Sequence, residues 1–265
     1  METSNEHPNS LEYALRRAHQ QPAMRPDFYR ALLRSEIYLI GSSEPADDAD
    51  AGRQLTLMQW ETERGERVIP VFTSLDEVRR SIDSEEQVLR MPGAQLMQLG
   101  TDVPLVLNPL SERQEVLSPD DVQALAAGHL PGVSAVAAAQ RDEGARRAVG
   151  VPRPYPALLV DALTTMFAGR RDVKAAWICT VGPTAGQEPD QLLIGLDLEP
   201  ETFDRVAEDV VYVASKVEQG DGFATADVME LTETPLGRQI RQRCDPFYRR
   251  SWGERMADPL QPGHA

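Results

Sequence analysis

The sequence has few of the residues on which most enzymes and metal sites depend. Among its 265 residues are two cysteines, two lysines and four histidines. Two cysteines cannot build a disulfide framework, and no Cys-x-x-Cys motif or helically spaced His pair offers a zinc site. A nucleophile elbow, a phosphate-binding loop and a dinucleotide fingerprint are missing as well. We therefore predict a protein that is not an enzyme and that binds no metal or cofactor.

Long apolar runs and net positive charge are lacking too. No stretch is long enough to cross a bilayer, and the polar residues 1–8 do not resemble a secretory signal. The net charge is −15, which repels polyanions, so nucleic acids and anionic membranes are disfavoured as partners. Together with the scarcity of cysteine, these features predict a soluble protein of the reducing cytoplasm.

What the sequence does contain is a pattern of short helices and strands in two halves. Apolar residues recur with helical and strand periods throughout 9–130 and again throughout 152–252. The intervening 131–151 is rich in Ala, Gly, Pro and Arg, as linkers are, and 253–265 is predicted to be a flexible tail. The predicted fold class is α+β, with two small α/β sandwich domains joined by the linker.

Local signals in the first half predict several elements. Residues 41–52 are small and acidic, which indicates a solvated loop. The apolar runs 55–60 and 68–72 are predicted to form a hairpin. Pro70 within the second run indicates an edge or bulge position.

Small polar residues follow two apolar strands of the first half, predicted at 68–72 and 104–107. If these strands are neighbours, their ends would line a pocket. Alternatively, Ser74 caps a helix and Asn108 forms a turn with the proline that follows it. The candidates for this pocket are Thr73, Ser74 and Asn108.

Aromatic residues lie among arginines near the end of the chain, within 238–255. Tyr, Trp and Arg dominate the energetics of protein interfaces, whereas the alternative is a solvated helix followed by a tail. We expect the aromatic pair after Pro246 to anchor this segment while its arginines face outward. The candidate interface residues are Phe247, Tyr248, Arg249, Arg250 and Trp252.

The two cysteines differ in their sequence surroundings. Cys179 lies in an apolar strand and is predicted to be a buried small hydrophobe. Cys244 lies between Arg243 and Asp245 near a helix end, which predicts a more exposed thiol. Because a helix C-terminus disfavours a thiolate, neither residue is predicted to have a redox role.

Some of these segments resemble a known bacterial family. Residues 26–33, 37–38, 68–74, 104–109 and 117–118 resemble the N-terminal domain of the SseB family, named for enhanced serine sensitivity. Residues 156–158, 173–177, 192–196 and 245–248 resemble its C-terminal domain. The resemblance implies two domains and a link to serine tolerance, but no reaction and no catalytic residue.

Two functions therefore stand as alternatives. The first is a non-catalytic cytoplasmic accessory or regulatory protein that binds another protein and, by resemblance, affects serine sensitivity or amino-acid metabolism. The second is a small-molecule-binding protein or weak enzyme that uses the pocket at the strand ends of the first domain. The partner's identity and homo-oligomerisation stay open at this stage.

Overall fold

Two separate sheets organise the chain. The computed structural model describes residues 10–45, 53–82, 86–132, 147–183, 191–217 and 226–250. The chain divides into Met1–Gly132 and Val133–Ala265, called here the first and second units. Each unit combines helices with one sheet, which confirms the predicted α+β class with two domains.

The first unit has a mixed sheet with helices packed against it. A 3₁₀ turn at Pro22–Met24 joins its first two helices. The elements in chain order are α1 (Ser10–Gln20), α2 (Arg25–Arg34), β1 (Glu36–Pro45), β2 (Arg53–Leu57), β3 (Trp60–Glu61), β4 (Arg67–Phe72), α3 (Leu75–Ser81), β5 (Val88–Pro92), α4 (Gly93–Leu99), β6 (Leu105–Leu107), β7 (Glu115–Leu117) and α5 (Pro119–Ala126).

Strands β4 and β6 run parallel, side by side, within the first sheet. The strand order is β2-β1-β4-β6-β7, with β3 also paired to β4 and β5 to β1. Val71 of β4 lies opposite Leu107 of β6. Because both strands run in the same direction, their carboxyl ends meet at one edge of the sheet.

Strand β1 is longer than the sequence predicts. Its residues 41–45 pair antiparallel with 53–57 of β2, so the predicted loop is wrong for 41–45, and 46–52 lie outside the described residues. The predicted hairpin is also wrong for 55–57, because only Trp60–Glu61 pairs with β4. The small polar residues at the end of β1 do not indicate a strand by their composition, because this part of β1 is stabilised by its pairing with β2.

Pro70 occupies an interruption of the strand ladder rather than a sheet edge. Leu39 of β1 pairs with Val71, and Trp60 of β3 pairs with Val68. Neither of these two strands places a residue opposite Pro70. Its missing N–H therefore faces no residue paired in β1 or β3, whereas Pro70 does lie opposite Val106 of the parallel strand β6. A proline can fit a strand paired on both sides at such an interruption.

Apolar side chains are buried on both faces of the first sheet. Ile40, Phe72 and Val78 form a core cluster beneath α3. Leu39 and Val71 alternate with these residues along their strands and are fully buried on the opposite face. Helices α1, α2, α4 and α5 pack on one another in that order.

The second unit is built around one long strand, β9. Its elements in chain order are β8 (Arg147–Gly150), α6 (Ala157–Ala168), β9 (Val173–Pro183), β10 (Gln191–Leu198), α7 (Phe203–Lys216), β11 (Ala226–Glu230), α8 (Pro235–Arg243) and β12 (Tyr248–Arg249). The strand order is β11-β10-β9-β12, with β8 also paired to β9.

Strand β8 lies inside the segment predicted to be a linker. Gly150 lies opposite Thr180 and Arg147 opposite Pro183 of β9. The linker prediction is therefore wrong for Arg147–Gly150. Composition misled here because Val149 is the strand's one large apolar residue, and its burial against the sheet outweighs the weak strand propensity of its neighbours.

Helix α8 covers one face of the second sheet. A core cluster on that face joins side chains from β8, β9, β10 and the end of α8. On α7, Val206, Val210 and Val213 are buried at helical spacing. The cluster beneath α8 consists of Val149, Ala175, Trp177, Cys179, Val181, Leu193, Leu231, Ile240 and Cys244.

Candidate functional site

Thr73 and Asn108 meet at the carboxyl ends of β4 and β6. Thr73 follows β4 directly, and Asn108 follows β6 with a left-handed backbone, φ 48°, which asparagine tolerates better than most residues. The backbone N–H of Thr73 donates to Asn108 Oδ1 at 3.0 Å, and Asn108 Nδ2 donates to Thr73 Oγ1 at 3.0 Å. The proximity expected from parallel strand ends is therefore present, and both residues are buried.

The polar side chains at these strand ends serve contacts within the chain. Thr73 Oγ1 donates to Glu12 Oε1 of α1 at 3.0 Å. Ser74 turns away from this pair, because its Oγ accepts from the backbone N–H of Glu77 and caps α3. The structure thus brings together Thr73 and Asn108, adds Glu12, and places Ser74 in the capping role that was its alternative.

A partly buried ion pair lies next to these residues. Glu115 of β7 lies opposite Leu107, the residue before Asn108. Arg25 of α2 binds it through two contacts, Nη1 to Oε1 at 2.5 Å and Nη2 to Oε2 at 3.2 Å. His19 Nε2 of α1 lies 3.6 Å from Oε2. The pair ties both N-terminal helices to the edge of the sheet.

The electrostatics of Arg25 reflect this pairing. Burial alone lowers the pKa of Arg25, but the negative charge of Glu115 and the hydrogen bonds to Tyr29 and Glu115 outweigh burial and raise the pKa above its ordinary value. The guanidinium therefore stays charged. Within the described part of the first unit, the buried polar residues are Thr73, Asn108 and Glu115, all at this one edge.

Sequence analysis missed Glu12, Arg25 and Glu115. No spacing relates Arg25 to Glu115, which lies far along the chain. The pattern Glu-Val-Leu of β7 would place Val116 inside, but the structure buries Glu115 and exposes Val116. Arg25 accounts for this inversion, because a carboxylate is buried readily only when a cation pairs with it.

The aromatic segment near the end of the chain is docked on β9. The backbone N–H of Phe247 donates to Ala176 O, and Tyr248 lies opposite Ala176 in the β12–β9 pair. Tyr248 is buried, and its hydroxyl donates to Phe167 O of α6 at 2.9 Å. The Phe247 ring stacks on Phe167 with centroids 6.2 Å apart. The aromatic pair therefore anchors the segment as expected.

The two arginines after this anchor differ from each other. Arg249 is exposed, whereas the Arg250 side chain turns back onto the second unit. Arg250 Nη2 contacts Glu199 Oε1 at 3.2 Å, and Nη1 donates to Arg171 O. The expectation that both arginines face outward is wrong for Arg250, because Glu199 pairs with it. Trp252 lies outside the described residues.

The contacts of Glu199 predict a pH-dependent effect. Hydrogen bonds from Lys174 and then Arg250 lower the pKa of Glu199, against an opposing effect of burial. We expect Arg250→Gln to move this pKa upward toward its ordinary value. A carboxyl whose folded pKa is lowered stabilises the fold above its unfolded pKa, and this contribution is lost as pH falls through the folded pKa. The variant should therefore be less stable than the parent at neutral pH, with the difference vanishing in acid.

A carbon-detected NMR titration of the Glu199 carboxyl measures the shift directly. Arg249→Gln is the matched control, because it removes the same charge from the exposed neighbouring position. Equal changes in the Glu199 pKa in both variants would show that the Arg250 contact has no specific effect.

The two thiols lie in the same core. Cys179 and Cys244 both belong to the cluster beneath α8 and are buried, so the expectation of an exposed Cys244 is wrong. Burial, followed by the charge of Asp245, raises the pKa of Cys244. Cys244 is buried because the end of α8 packs on the sheet, and the sequence does not indicate this packing.

The described residues contain neither a membrane-spanning helix nor a metal-binding cluster. Across residues 10–250, apart from the gaps named above, no helix has the length and apolar character needed to span a bilayer. Nor do these described residues include a cluster of three or more His, Cys, Asp or Glu side chains suited to hold a metal ion.

Comparison with known proteins gives matches to both units. Residues 11–124 match the SseB protein N-terminal domain, and residues 142–250 match the SseB protein C-terminal domain. The chain is 28% identical to Protein SseB of Escherichia coli K12 over 250 residues, which cover 94% of this chain and 95% of that protein. Protein SseB of Shigella flexneri matches with the same identity and coverage. No solved structure is significantly similar. The chain belongs to the SseB family.

Proposed function

We propose that this chain is a non-catalytic accessory or regulatory protein of the cytoplasm that acts by binding another protein. The observation that carries the proposal is a run of exposed apolar side chains from the end of β8 to the first turn of α6. In the described part of the second unit, the exposed large hydrophobic residues are Val151, Tyr155 and Leu158, at 56%, 49% and 67% exposure. All three lie within eight residues of sequence, called here the 151–158 segment.

Helix α6 continues this apolar character. Asp161 is the one charged residue in its twelve positions. The helix buries Leu159, Leu163, Met166 and Phe167, whereas Leu158 in its first turn is exposed. Scattered surface leucines need no explanation, whereas a cluster of exposed apolar residues is typical of an interaction site. A protein partner with an apolar surface is the occupant that this chemistry favours.

The small-molecule alternative rests on the strand-end residues of the first unit. The carboxyl ends of parallel strands commonly bind ligands, and polar groups do converge there. A ligand at that edge would compete with the Thr73–Asn108 and Arg25–Glu115 contacts. These contacts support a structural role and favour the protein-binding proposal. A thermal-shift screen with amino acids and related metabolites distinguishes the two.

The proposal predicts a selective loss of binding. We expect Leu158→Asp to abolish capture of the partner by the tagged full-length chain in its native extract, because it places a charge in the contact. Leu110→Asp is the matched control, since Leu110 is 68% exposed in the first unit. Captured proteins are identified by mass spectrometry, and binding is repeated with purified components. Loss of binding in both variants, or in neither, contradicts the proposal.

We extend the proposal to serine tolerance, which the family resemblance suggests. Cells lacking this chain should differ from the parent strain in the serine concentration that arrests growth. The wild-type chain and Leu110→Asp should restore the parental value, and Leu158→Asp should not. Restoration by all three would separate serine tolerance from the 151–158 segment.

A further inference from the structure

The protein's two cysteines are neighbours in the folded second unit. Cys179 lies in the middle of β9, and Cys244 caps the C-terminal end of α8. Both side chains belong to the core cluster between the sheet and α8. Nothing in their sequence spacing predicts this, because Cys244 reaches β9 only when α8 folds back over the sheet.

The strand register explains why the two cysteines are close. Gly150 of β8 lies opposite Thr180, the residue after Cys179. Cys244 Sγ lies 3.9 Å from Gly150 O, and Cys179 Sγ lies 3.7 Å from Leu193 O of β10. Cys244 Sγ therefore lies against the backbone of the residue paired next to Cys179, and both side chains belong to the core beneath α8. This shared position brings the two thiols close enough for a covalent bond to form between them.

We infer that Cys179 and Cys244 form a redox modification site at which hydrogen peroxide converts the two thiols into an intramolecular disulfide. In the first step, the Cys244 thiolate attacks one peroxide oxygen, which yields a sulfenic acid and one water. In the second step, the Cys179 sulfur attacks the Cys244 sulfur, which forms the S–S bond and releases a second water. Two thiols are oxidised, and one peroxide is reduced to two waters.

Cys244 is the residue that peroxide reaches first. It is 5% exposed against 0% for Cys179, and α8 ends at the residue before it. Helix ends open locally more readily than strand centres do, so peroxide gains access when this end opens. Burial raises the pKa of the Cys244 thiol, which makes its oxidation slower than that of an exposed thiol.

The disulfide would link the end of α8 to the centre of β9. That link closes the chain between the two cysteines, and such a closure stabilises a fold chiefly by restricting the unfolded chain. We therefore expect the oxidised protein to unfold at a higher temperature than the reduced protein. Reduction by dithiothreitol should reverse the difference.

The test uses the purified, fully reduced, full-length chain exposed to hydrogen peroxide. Intact mass should fall by two hydrogens, and non-reducing peptide mapping should recover the Cys179 and Cys244 peptides as one linked species. The same exposure in guanidinium should yield mainly unlinked or over-oxidised thiols, because the unfolded chain no longer holds the sulfurs together. Cys244→Ala and Cys179→Ala should each give no intramolecular link.

Either of two results would overturn the inference. A native chain that stays reduced under conditions that fully oxidise the unfolded chain would show that the pair is inert. A native chain that gives sulfinic or sulfonic acid, or dimers linked between molecules, would show that the sulfurs are not placed to bond. Both outcomes are read on the wild-type chain, so they hold whether or not the variants fold.

Discussion

Replacing Asp209 by Asn is expected to lower the free energy of unfolding of the second unit by about 3–5 kcal/mol, because it removes the charged carboxylate that pairs with a buried guanidinium. Asp209 lies on α7 and is fully buried, and its Oδ2 is 2.5 Å from Nη1 of the buried Arg170. Typical domains are stable by about 5–15 kcal/mol, so this loss is a large part of the total. Chemical denaturation monitored by circular dichroism measures it.

Two control variants show how much of the stability loss comes from the burial of the ion pair and how much from the unpaired charge. Arg205→Gln removes the Arg205–Asp172 pair, in which Arg205 is half exposed, and should cost no more than about 1 kcal/mol. The double variant Asp209→Asn with Arg170→Gln should recover part of the loss, since it removes both charges. If Asp209→Asn were no more harmful than Arg205→Gln, the buried pair would not stabilise the second unit.

Replacing Phe167 by Ala is expected to cost about 3–5 kcal/mol, the usual loss when a buried aromatic leaves a cavity. Phe167 of α6 is fully buried, and the rings of Phe247 and Tyr248 pack on it at centroid distances of 6.2 and 5.4 Å. The variant should therefore also loosen β12 from β9. Hydrogen exchange at the backbone amides of Phe247 and Arg250, which bond to β9, measures that loosening.

The control for Phe167→Ala is a substitution at an exposed position of the same helix. Leu158→Ala removes an exposed side chain from the same helix and should change stability by no more than about 0.5 kcal/mol. Phe247→Ala should lie between the two, because Phe247 is only partly buried. Equal losses for Phe167→Ala and Leu158→Ala would mean that the aromatic anchor does not hold the segment.

Local signals in the sequence predicted most elements, because the residues that determine them lie within one turn or strand. Ser74 caps α3 where the capping pattern places it, and Ser118 caps α5 with a reciprocal bond to Asp121. The short strands β7, β8 and β12 were not predicted. Each has two to four residues, so its stability comes from the neighbouring strand rather than from its own composition.

In the candidate sites, too, local features were predictable from the sequence and contacts between distant residues were not. The proximity of Thr73 and Asn108 was predictable, because the carboxyl ends of neighbouring parallel strands lie at the same edge of a sheet. The partners of charged residues were not, since Glu115, Arg250 and Asp209 each pair with a residue far along the chain. Long-range ion pairs leave no spacing pattern in one sequence, and the shared core position of the two thiols leaves none either.

Site-specific photocrosslinking in living cells tests the central claim most directly, that this protein works by binding another protein through the 151–158 segment. A photoreactive phenylalanine derivative placed at position 158 should yield one dominant crosslinked protein. The same residue at position 110, equally exposed in the first unit, should not yield it. The same crosslinks at both positions, or none at position 158, would contradict the account.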